Sequence, residues 1–379
     1  MPQTVSGIDV FTGLGVEIEF AETILSVRPC ETAPRDLFLA PGFIDLQVNG
    51  FAGVDFNSPC ASLTDLARAL EAIRRTGVTR CLPTVITNSP EEMLASLRNL
   101  RRAQVELPQG QMIAGFHVEG PHIGAEDGPR GAHPAHWVRP PDLREFGRWQ
   151  DATGGNIRLV TLSPHWPGAP GYIESLAAAG VTVSIGHTGA NAEQIALAVD
   201  AGATLSTHIG NAAHRVLPRH PNYLWEQLAD DRLSASFIVD GIHLGDAFTR
   251  VAMRAKGIDR TILVTDASAP AGAAPGAYRL GELDVELTED DRVVLAGSEK
   301  LAGSSLRMNQ AIANVVQNGY ANLRGAIQMA TLNPARLIHL EGRIRGLQPG
   351  EVADIVTFRM TDTLCVDRVL SDYSRFIAR

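Results

Sequence analysis

The chain has 379 residues, 45% of them hydrophobic and 20% charged, with a formal net charge of −9 and a pI near 5.7. That length and apolar content allow one barrel-sized domain plus a small companion. The acidic balance, with no basic stripe, argues against a nucleic-acid partner, and no apolar run reaches the length of a membrane span. An anionic small substrate stays possible, because a few local cations outweigh the global field at short range. The opening MPQTVSGIDVFTG lacks a basic n-region and an apolar h-region, so a cytoplasmic location without a membrane partner is expected. Cys30, Cys60, Cys81 and Cys365 show no CxxC spacing and are expected to be buried free thiols.

In chain order, the first forty residues offer the β-type runs GVEIEF, TILSVRPC and DLFLAPGFIDL. Apolar β-type runs then alternate with helix-type stretches such as LTDLARALEAIRRTG and PEEMLASLRNLRRAQ. Eight such runs are expected to be strands, at 42–48, 78–85, 112–118, 157–162, 181–185, 203–207, 235–239 and 261–264. Eight strand–helix units favour a (β/α)8 TIM-type barrel over a doubly wound open sheet. Next, YRLGELDVELTEDDRVVLAGS reads as a hairpin. Helices are expected at 306–317 and 323–332, the second closed by Asn333-Pro334. The tail GRIRGLQPGEVADIVTFRM is again β-type. A small β-sandwich domain is therefore expected from both chain ends, 1–40 and 340–379, with the catalytic barrel at 41–339.

Ten of the eleven histidines fall between His117 and His243. Glu119 in HVEGP, His187 in SIGHTGA and His208 in STHIGNA follow the expected third, fifth and sixth strands. Reactive residues project from such strand ends in a barrel. A lone histidine there is usually a core or surface residue, but one carboxylate and two imidazoles at equivalent positions suit a catalytic divalent ion with an open position. Asp266 emerges from the apolar run ILVTD after strand eight. Its company favours a general base over a helix N-cap. His243 and His133 could each orient a substrate carbonyl or hydroxyl, although His133 alone would pass for a solvated loop residue. His136, His165, His214 and His220 are assigned to the rim. Strand one ends in Gln47-Val48-Asn49, where a His-x-His pair would hold a second metal. Neutral amides are poor ligands, so one metal is expected.

PGFIDLQVNG, HVEGPHI, GHTGA, THIGNA, DGIHLG, VTDASAPAG, LAGSSL and NPA followed by PGEVADIV resemble the amidohydrolase superfamily, and within it the N-acetylglucosamine-6-phosphate deacetylases. The resemblance spans residues 39–357. It implies a single divalent ion, Zn²⁺ foremost with Fe²⁺, Co²⁺ or Mn²⁺ as alternatives, held by Glu119, His187 and His208. It implies Asp266 as acid/base, His133 near the scissile carbonyl and His243 near the sugar or its phosphate, with Gln47 on the substrate side of the single-metal branch. Asn211 and Ala212 would contact the phosphate end of an amino-sugar phosphate. Arg219 has the spacing of a phosphate-binding arginine that reaches into a neighbouring subunit, which implies a homodimer. The loop after His208 departs from the family pattern: Ile209-Gly210 replaces its usual residues, and His214, Arg215 and His220 are additions. Arg215 could share or replace the role of Arg219. A different N-acetylated substrate is the alternative activity. A barrel that has lost catalysis is disfavoured, because all four central residues survive.

Overall fold

The computed structural model describes residues 2–371. Eight parallel strands follow one another around a ring in chain order. They are Phe43–Val48, Val78–Ile86, Phe116–Glu119, Ile157–Leu162, Thr182–Ile185, Ala203–Ser206, Ser234–Phe237 and Thr261–Leu263. A parallel bridge between Val48 and Ala267 closes the ring, as a TIM-type barrel requires. All eight expected strands are present. The third is shorter than expected, because 108–112 forms a 3-10 turn instead.

The helices begin where local chemistry favours it. Ser62 and Ser89 accept the amides of Asp65 and Glu92, capping Leu63–Arg74 and Pro90–Glu106. The first helix stops short of the expected 77 because Gly77 turns back into strand two. Its φ is +91°, and a Cβ there would lie 2.5 Å from the Phe43 ring.

Both chain ends do form a β-domain, but its six strands make one sheet rather than two facing ones. The order is Leu364–Leu370, Ile355–Met360, Phe38–Pro41, Gln3–Asp9, Gly15–Phe20, Ile24–Pro29. Phe38–Pro41 pairs with strands from both ends, so the tail extends the N-terminal sheet instead of facing it. Residues 372–379 of the expected domain lie outside the described residues. Asp354 ties this sheet to the barrel by ion pairs with Arg80, at 2.9 Å, and with Arg343.

Three further expectations need correction. The hairpin after strand eight is a three-stranded antiparallel sheet, Gly276–Leu280, Leu283–Leu287 and Val293–Leu295. Asn333-Pro334 does not terminate helical structure. It sits in the first turn of a short helix, Leu332–Leu337, where a proline loses no hydrogen bond because that amide has no intrahelical partner. The four cysteines are free, but only Cys81 is buried; Cys60 and Cys365 are exposed.

The barrel interior is not uniformly apolar. His117 bonds Thr161 at 2.8 Å and Thr84 at 3.3 Å, and Thr161 bonds Thr207 at 2.7 Å. Burial pushes the His117 imidazole down to about 4, so it is neutral near pH 7. No helix among the described residues is long and apolar enough to cross a membrane.

Candidate active site

The C-terminal strand ends converge on one cavity of about 820 Å³. Glu119 is the last residue of strand three. His187, His208 and Asp266 stand just beyond strands five, six and eight with φ of +51°, +27° and +50°. Left-handed backbone is uncommon for non-glycine residues and concentrates where structure over-determines a site. Here it turns each chain sharply off its strand and leaves the side chain at the mouth.

Glu119 Oε1 lies 3.2 Å from His187 Nε2 and 3.0 Å from His208 Nε2, and the two Nε2 atoms are 3.2 Å apart. A tetrahedral ion with bonds of about 2.0–2.1 Å has ligand–ligand edges of roughly 3.3 Å. The three edges therefore fit one such ion. The tautomers agree. His187 Nδ1 faces the Pro129 carbonyl at 3.0 Å, and a carbonyl only accepts, so Nδ1 carries the proton. Nε2 is therefore the ring nitrogen that faces the carboxylate and is left to bind a cation. Burial alone would raise the Glu119 carboxyl, but bonds and charge from His187 and His208 hold it well below its usual range. Burial opposes the charged form of His208, yet Glu119 raises its imidazole above the ordinary value. His133 also brings a donor within 4.8 Å of those of Glu119 and His187. Its Nε2 is 3.9 Å from Glu119 Oε2, farther than His208, so His208 is the better third ligand.

Asp266 Oδ1 accepts Asn49 Nδ2 at 2.7 Å and Gln47 Nε2 at 3.0 Å. The same Gln47 amide donates to Glu119 Oε1 at 2.8 Å. Burial, with the Glu119 charge adding to it, pushes the Asp266 carboxyl up to about 6. A carboxylate poised near neutrality suits proton transfer.

His133 bonds Thr87 at 2.7 Å through Nδ1 and stacks edgewise on His187. Burial, reinforced by His187, pushes it down to about 3, so it is neutral. His243 Nδ1 lies 2.6 Å from Asp240. Burial alone would raise the Asp240 carboxyl, but the bond and charge of His243 keep it low. Asn49, Asn211, Ala212, His133, His243 and Asp266 all line the cavity.

One expected substrate contact is placed differently. Gln47 is 1% exposed and lies beneath the cavity, its amide engaged with the two carboxylates. Arg219, expected at a neighbouring subunit's site, is exposed and outside its own cavity wall, and Arg215, also exposed, lies on that wall. Of the rim histidines, His214 reaches the cavity wall and bonds Glu126 at 2.9 Å. His165 instead bonds Ser163, and His136 pairs with Glu282.

The sequence reading missed several groups. Asn49 contacts Asp266 directly. Thr87, Pro129 and Asp240 orient the histidines; of these only Asp240, three residues before His243, carries a local signal. Leu280 of the three-stranded flap, with Leu301 and Ala302 just after its last strand, forms an apolar part of the wall. Nothing in the flap sequence says that it folds over the barrel mouth.

A family model described as "Amidohydrolase family" matches residues 38–372. The chain is 36% identical over 329 residues to N-acetylglucosamine-6-phosphate deacetylase of Bos taurus, covering 84% of this chain and 78% of that protein. It is 33% identical over 319 residues to N-acetylgalactosamine-6-phosphate deacetylase of Shewanella sp. (strain ANA-3), covering 84% and 78%. Its fold matches a mutant N-acetyl-D-glucosamine-6-phosphate deacetylase from Mycobacterium smegmatis, solved in complex with N-acetyl-D-glucosamine-6-phosphate. The TM-score is 0.88 at 31% identity, over 98% of both chains.

Proposed function

We propose, from the premise that this chain belongs to the amidohydrolase family and within it to the N-acetylglucosamine-6-phosphate deacetylases, that the cavity at the barrel mouth is its deacetylase site. The enzyme hydrolyses the acetamide of N-acetylglucosamine 6-phosphate, releasing glucosamine 6-phosphate and acetate. The observation that carries the assignment to this site is the placement of the Asp266 carboxyl beside three convergent donor atoms.

Glu119, His187 and His208 would hold the cation. When bound, such an ion polarises a carbonyl and lowers the pKa of water. Asp266 accepts the proton of the water that adds to the acetamide carbon. It then delivers that proton to the sugar nitrogen as the C–N bond breaks. Gln47 and Asn49 donate to its Oδ1, which fixes where the proton is taken up. Neutral His133, bonded to Thr87 through Nδ1, is assigned the tautomer with its proton on Nε2, the Thr87 hydroxyl then being the donor. That N–H serves the oxygen on which negative charge develops. His243, braced by Asp240, serves the sugar hydroxyls or the phosphate.

The finer assignments belong to the same proposal. One ion per chain is supported by neutral amides at Gln47 and Asn49, and Zn²⁺ by the carboxylate–imidazole donor set. A homodimer, with Arg219 serving the partner's site, is supported by the exposure of Arg219 outside its own cavity. The domain limits, 1–40 with 340–379 and 41–339, and a cytoplasmic location with four free cysteines complete it.

The test is acetate release by Zn²⁺-loaded protein from N-acetylglucosamine 6-phosphate and from its galacto epimer. Faster turnover of the gluco sugar is expected, together with loss of activity after chelation. Failure to release acetate from either sugar would overturn the assignment.

A further inference from the structure

We infer that Ser304, in the segment that returns from the flap to the barrel, is a positioning residue that fixes where the Asp266 carboxyl stands as it takes up and delivers its proton. The inference rests on the deacetylase reading above. Ser304 belongs to the motif LAGSSL, residues 301–306.

Asp266 has a φ of +50°. Such a backbone is unfavourable for a residue with a Cβ and persists only where its surroundings over-determine it. Ser304 touches both carbonyls of this turn. Its hydroxyl donates to the Thr265 carbonyl, and its amide donates to the Asp266 carbonyl at 2.9 Å. The Leu306 amide donates to the Ser304 hydroxyl at 3.1 Å, and the Ser268 amide to the Ser304 carbonyl at 3.0 Å. A hydroxyl has one proton to give, and here it is directed at Thr265. Ser304 and Thr265 are both buried, so a lost bond leaves the carbonyl unsatisfied.

Strand one holds the other side of the same turn. One Asp45 carboxylate oxygen accepts the Thr265 hydroxyl, and the other accepts the Thr265 amide at 3.2 Å. Asp45 thus secures the amide side of Thr265 and Ser304 the carbonyl side, which leaves Asp266 one way to leave the strand. Gly303 permits the close approach. Its φ is +74°, and a Cβ there would lie 3.0 Å from the Ser268 side chain and 3.3 Å from the Asp266 carbonyl. Gly303 lines the cavity but Ser304 does not, so Ser304 reaches the reaction only through Asp266. A misplacement of about 1 Å costs on the order of 10²-fold in rate.

The experiment measures kcat, KM, the pH dependence of kcat/KM and bound Zn²⁺ for full-length protein acting on N-acetylglucosamine 6-phosphate. The proteins are Zn²⁺-loaded wild type, Ser304→Ala, Ser304→Cys and Ser305→Ala. Ser305, whose hydroxyl bonds the Asp291 carbonyl at 2.7 Å, is the control. Ser304→Ala should lower kcat per bound ion by about 10- to 100-fold, with KM within about twofold. Ser304→Cys substitutes a weaker donor and should fall between wild type and Ser304→Ala; it carries the test if Ser304→Ala does not fold. The acid limb of kcat/KM should move to higher pH in both, because a carboxyl that drifts from the Gln47 and Asn49 amides loses donors that favour its charged form. Ser305→Ala should keep kcat within about twofold. The inference is overturned if kcat per bound ion in the Ser304 variants stays within about twofold of wild type, if the loss lies in KM, or if Ser305→Ala loses as much. Wild type that releases no acetate would instead sink the deacetylase reading, and the inference with it.

Discussion

Gln47 and Asp266 are bonded to each other twice across the barrel seam. The Asp266 amide donates to the Gln47 carbonyl at 2.9 Å, and Gln47 Nε2 returns a bond to Asp266 Oδ1 at 3.0 Å. The backbone contact that closes the barrel therefore also sets the position of the Asp266 carboxyl. Because the same side-chain amide reaches Glu119, one neutral donor lies between two buried carboxylates and softens their repulsion.

Replacing Asp266 by Asn keeps the shape of the side chain and removes its basicity. A fall in kcat of about 10²- to 10⁴-fold is expected. Circular dichroism and the melting midpoint should stay close to wild type. Near-full activity of Asp266→Asn would exclude the proposed proton transfer.

The donor spacing predicts one ion per chain. Elemental analysis after Zn²⁺ loading and desalting should give one equivalent for wild type. It should give well under one for His187→Ala and His208→Ala. Chelated wild type should melt at a lower temperature than the loaded protein, since ligand binding to the native state stabilises it. Two equivalents would contradict the reading of Gln47 and Asn49 as non-ligands.

His133→Phe removes the N–H assigned to the developing oxyanion. A loss of about 10²- to 10³-fold in kcat, with KM within about threefold, is expected by analogy with other oxyanion donors. Steady-state kinetics separate this from a binding defect, which would raise KM instead.

Asp55 provides a pH test away from the donor cluster. Burial pushes its carboxyl up to about 6, although the amides of Asn57 and Gly281 bond it. The folded state therefore holds an extra proton between about pH 4 and pH 6. Stability from this group is present below the lower value and lost as pH rises to the upper one, by roughly 3 kcal/mol at most. The urea midpoint of wild type minus that of Asp55→Asn should fall across this window and level off above it. A flat difference would remove the assignment.

Asn333 donates its side-chain amide to the carbonyls of Ile258 and Thr261, at 2.7 and 2.8 Å. Asn333→Ala leaves both acceptors without this partner in a buried place. A loss of about 1–3 kcal/mol for each is expected, read as a lower melting midpoint with kcat of the folded fraction unchanged.

Much of the site was legible before the fold was known. Strands that end in a barrel place their next residues at one mouth, so Glu119, His187, His208 and Asp266 needed only correct strand ends to be brought together. His133 was harder. It lies in a long loop, and its role depends on Thr87, forty-six residues earlier in the chain. The flap reads only as a hairpin, because alternation reports which face is buried but not against what. Pro334 misled for a different reason: a proline reads as a stop in a helix interior and as a start in a first turn, and only the backbone before it distinguishes the two.

The amino-acid sequence by itself determined the barrel and the meeting of Glu119, His187, His208 and Asp266 at its mouth, because both depend on local periodicity and on residue type at a strand end. The tertiary structure alone decided that Gln47 lies beneath the cavity while Asn49 faces it, that the flap forms a wall, and that Arg215 rather than Arg219 stands on the chain's own cavity. These follow from side-chain direction and from the close approach of segments far apart in the chain, and neither is encoded in spacing along it.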